Sequence, residues 1–422
     1  MERIARLLPP VALLLAVAAC RVAPGPEVVP EIAPVGPEPL SVPAVLSDAW
    51  ELSTVFRGDT RINGVACGEL DPSSPGDEIV AVDRRGAVRA FRRSGEGFEP
   101  MDFRPAGGAS MGELVQVICA DLLPSVPGDE IVAVGMFEGG EDDGGRGIVR
   151  VFARLPWGDG EGWMGASLVT PGLVHAVAAG DLDPSRPGLE VVVAGYFGEA
   201  RLLGVTLTDQ WYAVEDLSGA HELGHEGNAK GACLTAGGFA LACDDGGLSE
   251  FTRGDDGALS IHGRRDLGAA LARIAPFPGD GVVVCDNGGM LRVIERGAGG
   301  QLNGAVTGLE RADNRLRGAV VADLVPGDEG VEVATAGYDG VIRVVTLENV
   351  EIRSMDHPNR AARSGLMSSK RSVARDSAKL HHLTTGEIDG LGLCLVSCGY
   401  SGSVLVVHRV EARRAPMTSQ EP

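Results

Sequence analysis

The chain repeats one pattern of apolar and polar positions: an apolar strand, an acidic loop of the type D-P-S-x-P-G-x-E, a second apolar strand, and a turn rich in glycine. Copies begin near Val65, Val117, Ala176, Gly231, Arg273, Gly318 and Leu383. Repetition at this spacing is typical of architectures in which each unit completes its core against its neighbours. We therefore expect one repeat domain over residues 47–412.

Each unit also predicts two further strands. A third apolar segment, such as VRAF or VRVF, follows each turn, and a more polar fourth segment precedes the next unit, for example Trp211–Leu217 or Val350–Asp356. Antiparallel four-stranded sheets repeated around an axis form a β-propeller. The pattern therefore predicts an all-β fold, a seven-bladed β-propeller of four-stranded antiparallel blades.

The last unit has no fourth strand of its own, because the residues after Val410 are mostly polar. A spare apolar segment, Ala49–Phe56, precedes the first unit instead. We expect it to be the outer strand of the seventh blade, since this closes the ring and removes an open sheet edge. Residues 413–422 are predicted to be a disordered tail.

The repeats resemble the FG-GAP and VCBS-type propeller family, which includes the integrin α-chain head. The resemblance is carried by Gly180–Tyr196 (GDLDPSRPGLEVVVAGY) and Ala322–Gly340, whereas the unit from Gly231 looks more like a WD repeat. Both families are propellers, so the resemblance implies the same fold in either case.

The resemblance also implies that the acidic loops can bind Ca²⁺ through alternating carboxylates. The acids that match this pattern are Glu69, Asp71, Asp77, Asp181, Asp183 and Glu190. Proline stands where the middle ligands would be in several loops, which favours the alternative that these acids cap turns by accepting backbone N–H groups. We expect no other cofactor.

The first residues have the layout of a secretory signal, with Arg3 and Arg6 before an apolar run. Residues 17–20 (VAAC) resemble the bacterial lipobox, so residues 1–19 are expected to be a lipoprotein signal peptide and Cys20 the lipidated residue. An ordinary signal peptide cleaved nearby is the alternative. Arg21, rather than Asp, follows the cysteine, which favours the outer membrane.

Seven prolines lie between residues 21 and 46. Such a segment cannot build a core and is expected to be extended polyproline II. Residues 20–46 are therefore interpreted as the lipidated cysteine followed by a tether.

Composition limits the kinds of partner that are expected and indicates the state of the cysteines. The formal net charge of −21 argues against non-specific nucleic-acid binding. Cys243, Cys285 and Cys398 stand where other units carry Val or Ala, so the cysteines other than Cys20 are predicted to be mostly free, buried thiols.

One segment matches a catalytic motif. His221, Glu222 and His225 form H-E-x-x-H, which on a helix binds Zn²⁺ in metallopeptidases, with Glu as general base. Glycines crowd this segment, so a stable helix is not expected there. A zinc peptidase is kept as the minor alternative.

Propeller topology places the connections between blades and the turns between second and third strands on one face. The residues expected to converge there as ligand-binding candidates are His175, Tyr196, His221, His225, Tyr338, His381, His382 and Tyr400. A basic insertion, Pro358–Leu380, is interpreted as a long inter-blade loop that either is simply solvated or docks an acidic partner through residues such as Arg363, Lys370 and Arg371.

The sequence thus favours an extracytoplasmic lipoprotein, anchored to a bacterial membrane, that acts as a non-catalytic binding scaffold. The expected partner is an envelope protein or acidic ligand that the sequence does not identify. The alternative class is an enzyme, either a propeller hydrolase or lyase or the zinc peptidase.

Overall fold

A computed structural model describes residues 49–104, 112–137, 145–157, 160–208, 212–221, 223–325, 330–352 and 363–410. The predicted signal peptide, Cys20, the tether and the tail after residue 410 lie outside the described residues. Among the described residues, no helix is long and apolar enough to span a membrane.

The described residues form seven four-stranded antiparallel sheets, which confirms the predicted all-β propeller. Blade one contains β2 (Ile62–Gly68), β3 (Glu78–Asp83), β4 (Val88–Ser94) and β5 (Gly97–Pro100). Blade two contains β6 (Leu114–Ala120), β7 (Glu130–Met136), β8 (Gly147–Trp157) and β9 (Gly160–Thr170). Blade three contains β10 (Val174–Gly180), β11 (Glu190–Gly195), β12 (Ala200–Leu207) and β13 (Tyr212–Asp216).

The remaining blades follow the same order. Blade four contains β14 (Ala229–Thr235), β15 (Gly238–Cys243), β16 (Gly247–Arg253) and β17 (Leu259–Asp266). Blade five contains β18 (Leu271–Phe277), β19 (Gly281–Asp286), β20 (Met290–Ile294) and β21 (Val306–Arg311). Blade six contains β22 (Leu316–Ala322), β23 (Glu332–Gly337), β24 (Val341–Ile352) and β25 (Arg363–Arg375). Blade seven contains β26 (Leu380–Ile388), β27 (Gly392–Gly399), β28 (Ser403–Arg409) and β1 (Trp50–Arg57). Two short 3₁₀ turns are Tyr196–Gly198 and Ser218–Ala220.

The apolar runs of the sequence are the inner strands, which neighbouring blades cover on both faces. Every residue of β3, β11, β15, β19 and β23 is buried. The fourth strands are more exposed, as in β17, where buried and exposed positions are mixed. This gradient explains why the inner strands read as near-continuous apolar segments and the outer ones do not.

The ring closes through the N-terminal strand. β1 pairs antiparallel with β28 in a register that runs from Trp50 opposite Arg409 to Arg57 opposite Ser403. The prediction that the segment before the first unit completes the seventh blade is confirmed. The pairing removes the open edge that β28 would otherwise present.

The sequence interpretation of blade six was wrong. Val350 belongs to the end of β24, and residues 363–375 of the basic segment form β25, the outer strand paired to it, so that only residues 376–379 connect to the next blade. An outer strand needs little apolar pattern, so the polar stretch around Lys370 and Arg371 looked like a loop. Arg363 lies opposite Ile352, at the end of the hairpin far from the second-to-third-strand turn of this blade.

The seven cysteines among the described residues are free, and five of them are buried (Cys233, Cys243, Cys285, Cys394 and Cys398). The prediction of mostly free, buried thiols is confirmed. They substitute for Val and Ala in the inner strands, where a small apolar side chain is required.

The face that carries the acidic loops, between first and second strands, is called the bottom face below. In four loops the motif's final glutamate is 1% exposed and accepts two backbone N–H groups of its own loop. The four glutamates are Glu78, Glu130, Glu190 and Glu332. The loops therefore close on a buried glutamate side chain whose oxygen satisfies otherwise orphaned amides.

In blades one, two and three the glycine of the motif lets the loop touch the preceding blade. Gly188 has φ +87°, and a Cβ there would lie 2.4 Å from the carbonyl oxygen of Leu122. Gly128 is similar, since its Cβ would lie 2.8 Å from the carbonyl oxygen of Glu69. These three loops are thus in backbone contact with the preceding blade, and glycine is needed for both the conformation and the approach.

Glu130 gives a test of this capping. Burial raises its pKa from the ordinary 4.5 to about 8. Glu130→Ala strands two buried amides and should lower the free energy of unfolding by about 2 kcal/mol. Glu130→Gln keeps a carbonyl acceptor and should cost less than about 1 kcal/mol. Denaturant unfolding of both variants at pH 5 measures the difference.

The pH dependence has a definite sign. Because the pKa of Glu130 is raised in the folded state, that state holds a proton which the unfolded chain releases above pH 4.5. The wild type should therefore lose stability relative to Glu130→Gln as pH rises from 5 to 8. A difference between the two proteins that does not change over this interval would contradict the buried, neutral carboxyl.

Candidate functional site

Every first strand carries a β-bulge near its beginning. In all seven blades the ladder to the second strand skips one residue at the equivalent position. The extra residues are Asn63, Val115, His175, Lys230, Ala272, Arg317 and His381. Since first strands surround the axis of a propeller, the bulges place these seven residues around one mouth of the central channel. Bulges commonly redirect side chains in this way.

A repeated hydrogen bond brings a second set of residues to the same mouth. The first residue of each second-to-third-strand turn donates its N–H to the carbonyl two residues before the bulge. The seven donors are Arg84, Met136, Tyr196, Asp244, Asn287, Tyr338 and Tyr400. We call this face, which also bears the inter-blade connections, the top face.

Two tyrosines and three cations form one side of the mouth. The hydroxyls of Tyr338 and Tyr400 are 3.2 Å apart, and the guanidinium of Arg61 donates to Tyr400 Oη at 3.0 Å. Arg317 lies over the ring of Tyr338 at 5.0 Å, and Lys379 lies within 5.6 Å of both ring centroids. Such cation–π contacts hold positive charge against an aromatic platform.

Tyr196 makes similar contacts with a cation and an aromatic ring, provided by blades four and three. The ring of Tyr196 stacks on His175 with centroids 6.2 Å apart. The ammonium of Lys230 lies 3.9 Å from the Tyr196 centroid and donates to its hydroxyl. The structure therefore brings together the predicted candidates His175, Tyr196, Tyr338, His381 and Tyr400.

We call the following set the channel-mouth cluster: Arg61, His175, Tyr196, Lys230, Arg273, Arg317, Tyr338, Lys379, His381 and Tyr400. Its five cations are Arg61, Lys230, Arg273, Arg317 and Lys379. Two carboxylates form ion pairs with them: Glu113 with Arg61, and Asp244 with Lys230 at 3.6 Å. Positive charge is thus left in excess at the mouth of a chain whose net charge is −21.

The histidines of the mouth are neutral near pH 7. Burial, with the nearby charges of Lys230 and Arg273, holds the pKa of His175 well below its ordinary value. Burial and Arg273 act in the same way on the pKa of His381, whose Nδ1–H donates to the carbonyl of Asn63 at 2.8 Å. His382 lies in the channel wall, and burial lowers its pKa to about 3.

The top face also carries an exposed, strained aromatic residue. Phe197 has φ +64°, a left-handed conformation that a bulky residue rarely adopts, and it is 79% exposed. Its N–H donates to Asn228 Oδ1 at 3.2 Å, and its ring meets Tyr196 edge to face. Strain of this kind concentrates at binding sites. Phe197 extends the aromatic surface outward from the mouth.

The H-E-x-x-H segment lacks the geometry that its chemistry requires. Ser218–Ala220 is a short 3₁₀ turn, and His221 is already extended, with φ −129° and ψ 155°. His221 Nδ1 accepts the N–H of Leu259 at 3.0 Å, whereas His225 lies between the carbonyls of Glu199 and Glu226. The two imidazoles do not share a helix face, and the prediction that no helix forms here is confirmed.

Neither of these histidines joins the mouth. Burial and the charge of Arg253 lower the pKa of His221, and the nearby carboxylate of Asp183, which belongs to a bottom-face loop, acts in the opposite direction. The N–H of His225 donates to Gly198 and its ring is buried beneath the turn. Glu222 lies outside the described residues.

The acids predicted as calcium ligands instead accept hydrogen bonds in the bottom-face loops. Asp71 and Asp183 each accept the N–H and hydroxyl of the serine two residues on. Glu190 accepts two loop amides, and Asp77 accepts the N–H of Glu387 at 2.8 Å. A calcium ion would have to displace these partners. Glu69 and Asp181, the other two acids predicted as calcium ligands, lie on the same face. Among the described residues no cluster of three or more potential metal ligands occurs.

Sequence reasoning singled out none of Arg61, Lys230, Arg273 and Arg317 as candidates, and it included Lys379 only as part of the basic insertion Pro358–Leu380. Lys230 and Arg317 directly precede the glycines at which two units were taken to begin, so the repeat was aligned one residue too late to include them. The basic segment of blade six drew attention instead, but its strand lies at the edge of that blade. An alignment of the seven units that included the residue at each bulge position would have shown that polar and cationic residues are frequent there.

No protein-family model matches the chain, and no curated protein matches it. Among solved structures, it is similar to the crystal structure of the WD40 β-propeller domain of Doa1. The TM-score is 0.53 at 12% identity, over 86% of this chain and 98% of that chain. A likeness at this identity shows the fold, a β-propeller, and leaves the FG-GAP or VCBS type of the repeats a prediction.

The structural role of His225 can be tested against the zinc alternative. His225→Ala removes a buried ring between two carbonyls and should lower the free energy of unfolding by about 1–2 kcal/mol. His262→Ala, at an exposed position, is the matched control and should have no effect. A chelator should leave the wild-type unfolding midpoint unchanged. A chelator-induced loss of stability that disappears in His225→Ala would instead indicate a metal site.

Proposed function

We propose that this protein is a non-catalytic binding scaffold of the bacterial cell envelope, and that its channel-mouth cluster binds an acidic segment of a partner protein. The observation that carries the proposal is the group of five cations and three tyrosines gathered at one mouth of the channel. A propeller fold suits such a role because its top-face residues come from many blades.

The chemistry of the cluster favours an acidic, extended segment. Arginine and lysine side chains held on aromatic rings are already ordered, so less conformational entropy is lost when a carboxylate binds. The excess of positive charge would steer acidic segments to this mouth and away from the acidic remainder of the surface.

Exposed aromatic surface supports the same conclusion. Tyr400 is 40% exposed and Phe197 is 79% exposed, and both lie on the top face. Tyrosine and arginine are the side chains most enriched among energetically dominant interface residues. An acidic segment lying across the mouth would contact Tyr400 at the centre and Phe197 towards the rim.

The anchoring part of the proposal is supported by the N-terminal sequence. Arg3 and Arg6, the apolar run and the lipobox-like residues before Cys20 favour a lipoprotein, and Arg21 favours the outer membrane. The proline-rich segment that follows would hold the propeller away from the bilayer. The acidic loops and Gly180–Tyr196 support FG-GAP or VCBS-type repeats as the evolutionary origin of the blades.

Charge reversal tests the binding surface. The combined changes Arg317→Glu and Lys379→Glu should weaken binding of a fluorescent polyglutamate peptide at least tenfold, because they replace attraction by repulsion. Fluorescence anisotropy of the full chain in detergent measures this. The control is Arg93→Glu with Arg186→Glu, which changes net charge equally on other parts of the propeller. Equal loss in both double variants would show that only overall charge matters.

The anchor is tested separately. Cys20→Ala should abolish incorporation of labelled palmitate and shift the protein from the membrane to the soluble fraction, because the acyl chains supply the membrane affinity. Cys243→Ala is the control, since blade three carries Ala194 at the equivalent position. Palmitate labelling that survives Cys20→Ala would refute lipidation at this residue.

A further inference from the structure

Arg273 is a buried arginine in the wall of the channel. It directly follows Ala272, the bulge residue of β18, and it is only 4% exposed. Nη1 donates to the carbonyl oxygens of Lys230 at 2.8 Å and of Ala272 at 2.7 Å. These two bonds fix one end of the guanidinium.

The groups around Arg273 place its charge near the propeller axis. Lys230, whose carbonyl it bonds, belongs to blade four, and the groups that influence the pKa of Arg273 include Arg317 in blade six and Cys398 in blade seven. Its own charge lowers the pKa of His175 in blade three and of His382 in blade seven. A guanidinium that acts on groups from so many blades lies where the blades meet.

The other end of the guanidinium has no partner among the described residues. Nε and Nη2 of Arg273 are buried and form no hydrogen bond, and the same holds for Nε of Arg317 and Nδ1 of His175. No Asp or Glu is among the groups that shift the pKa of Arg273. Burial and the charge of Arg317 lower this pKa to about 10, so the group stays charged near pH 7.

An unpaired buried cation is strongly unfavourable, because it has lost water without gaining a counter-charge. Nε–H and Nη2–H lie side by side on the planar guanidinium, in the spacing that matches two oxygens of one carboxylate or phosphate. The bonds of Nη1 to the backbone already hold this fork in place.

We propose that the channel mouth contains a binding site for one oxyanion, with the Nε/Nη2 fork of Arg273 as its anchor and Arg317 and His175 as further ligands. This inference rests on the proposed function and deepens it: the oxyanion is the group that an acidic segment inserts below the tyrosines. A carboxylate of the partner and a free small anion offer the same chemistry to this site.

The test measures unfolding midpoints of the full chain in detergent with acetate, inorganic phosphate or a C-terminal glutamate peptide, each against chloride at equal ionic strength. An anion that binds the folded state should lower the unfolding equilibrium constant about tenfold at ten times its Kd. Arg273→Leu should lose this response and should itself unfold at a higher midpoint without anion. Arg93→Gln, whose guanidinium lies over the ring of Phe98 in blade one and outside the channel-mouth cluster, should keep the response.

A second measurement follows His175 directly, in the wild type and in Arg273→Leu. A bound oxyanion next to His175 should raise the pKa of that imidazole, so its NMR resonance should titrate at higher pH in saturating anion than in chloride. A response to acetate and phosphate indicates a site for free anions, and a response to the peptide alone indicates the partner's carboxylate. Either supports the inference when it depends on Arg273.

The inference is overturned if neither small anions nor the peptide changes the midpoint or the His175 titration, or if the changes persist in Arg273→Leu. Polyglutamate binding that survives in Arg273→Leu but is lost on reversal of Arg317 and Lys379 would leave the proposed function standing without the buried site. If polyglutamate binding survives both in Arg273→Leu and in the charge reversal of Arg317 and Lys379, the buried site and the proposed function are both refuted.

Discussion

The structure depends on one constraint: each blade buries its inner strands only against the blades on either side. Five of the second strands (β3, β11, β15, β19 and β23) are buried at every residue, so an unclosed array would expose an inner strand at each end. Pairing of β1 with β28 removes that exposure by completing the seventh blade. The buried glutamates of the bottom face serve the same requirement, because Glu130 and its equivalents satisfy loop amides that adjacent blades shield from water.

Closure of the ring also creates the candidate site. Seven bulges at equivalent positions turn residues towards one mouth, and seven equivalent hydrogen bonds hold the neighbouring turns beside them. The framework is thus repeated, whereas the side chains on it differ from blade to blade. Val115 and Ala272 are apolar at the bulge, while Lys230 and Arg317 are charged. The blades therefore share one backbone framework at the mouth and differ in the side chains that they place there.

The acidic loops of the bottom face and the cations of the channel mouth have different roles. The bottom face uses its carboxylates as internal caps, and the channel mouth gathers cations with few acidic partners. Arg273 is the extreme case, since its charge is buried and three of its five N–H donors, one on Nε and two on Nη2, are unsatisfied. A folded protein tolerates such a group at a cost in stability, which is the usual trade at a site prepared for a ligand.

The repeat pattern determined the fold from sequence, because inner strands covered on both faces are uniformly apolar and the final unit visibly lacks a strand. It also indicated the top face and the roles of His175, Tyr196, Tyr338 and Tyr400 as residues close to the axis. The outer strand of blade six was misread, since a solvent-facing strand has little apolar pattern. Which residues meet at the channel mouth was decided by tertiary structure. A one-residue bulge leaves no mark in hydrophobic periodicity, and the approach of Arg273 to groups of several other blades exists only when the ring is closed.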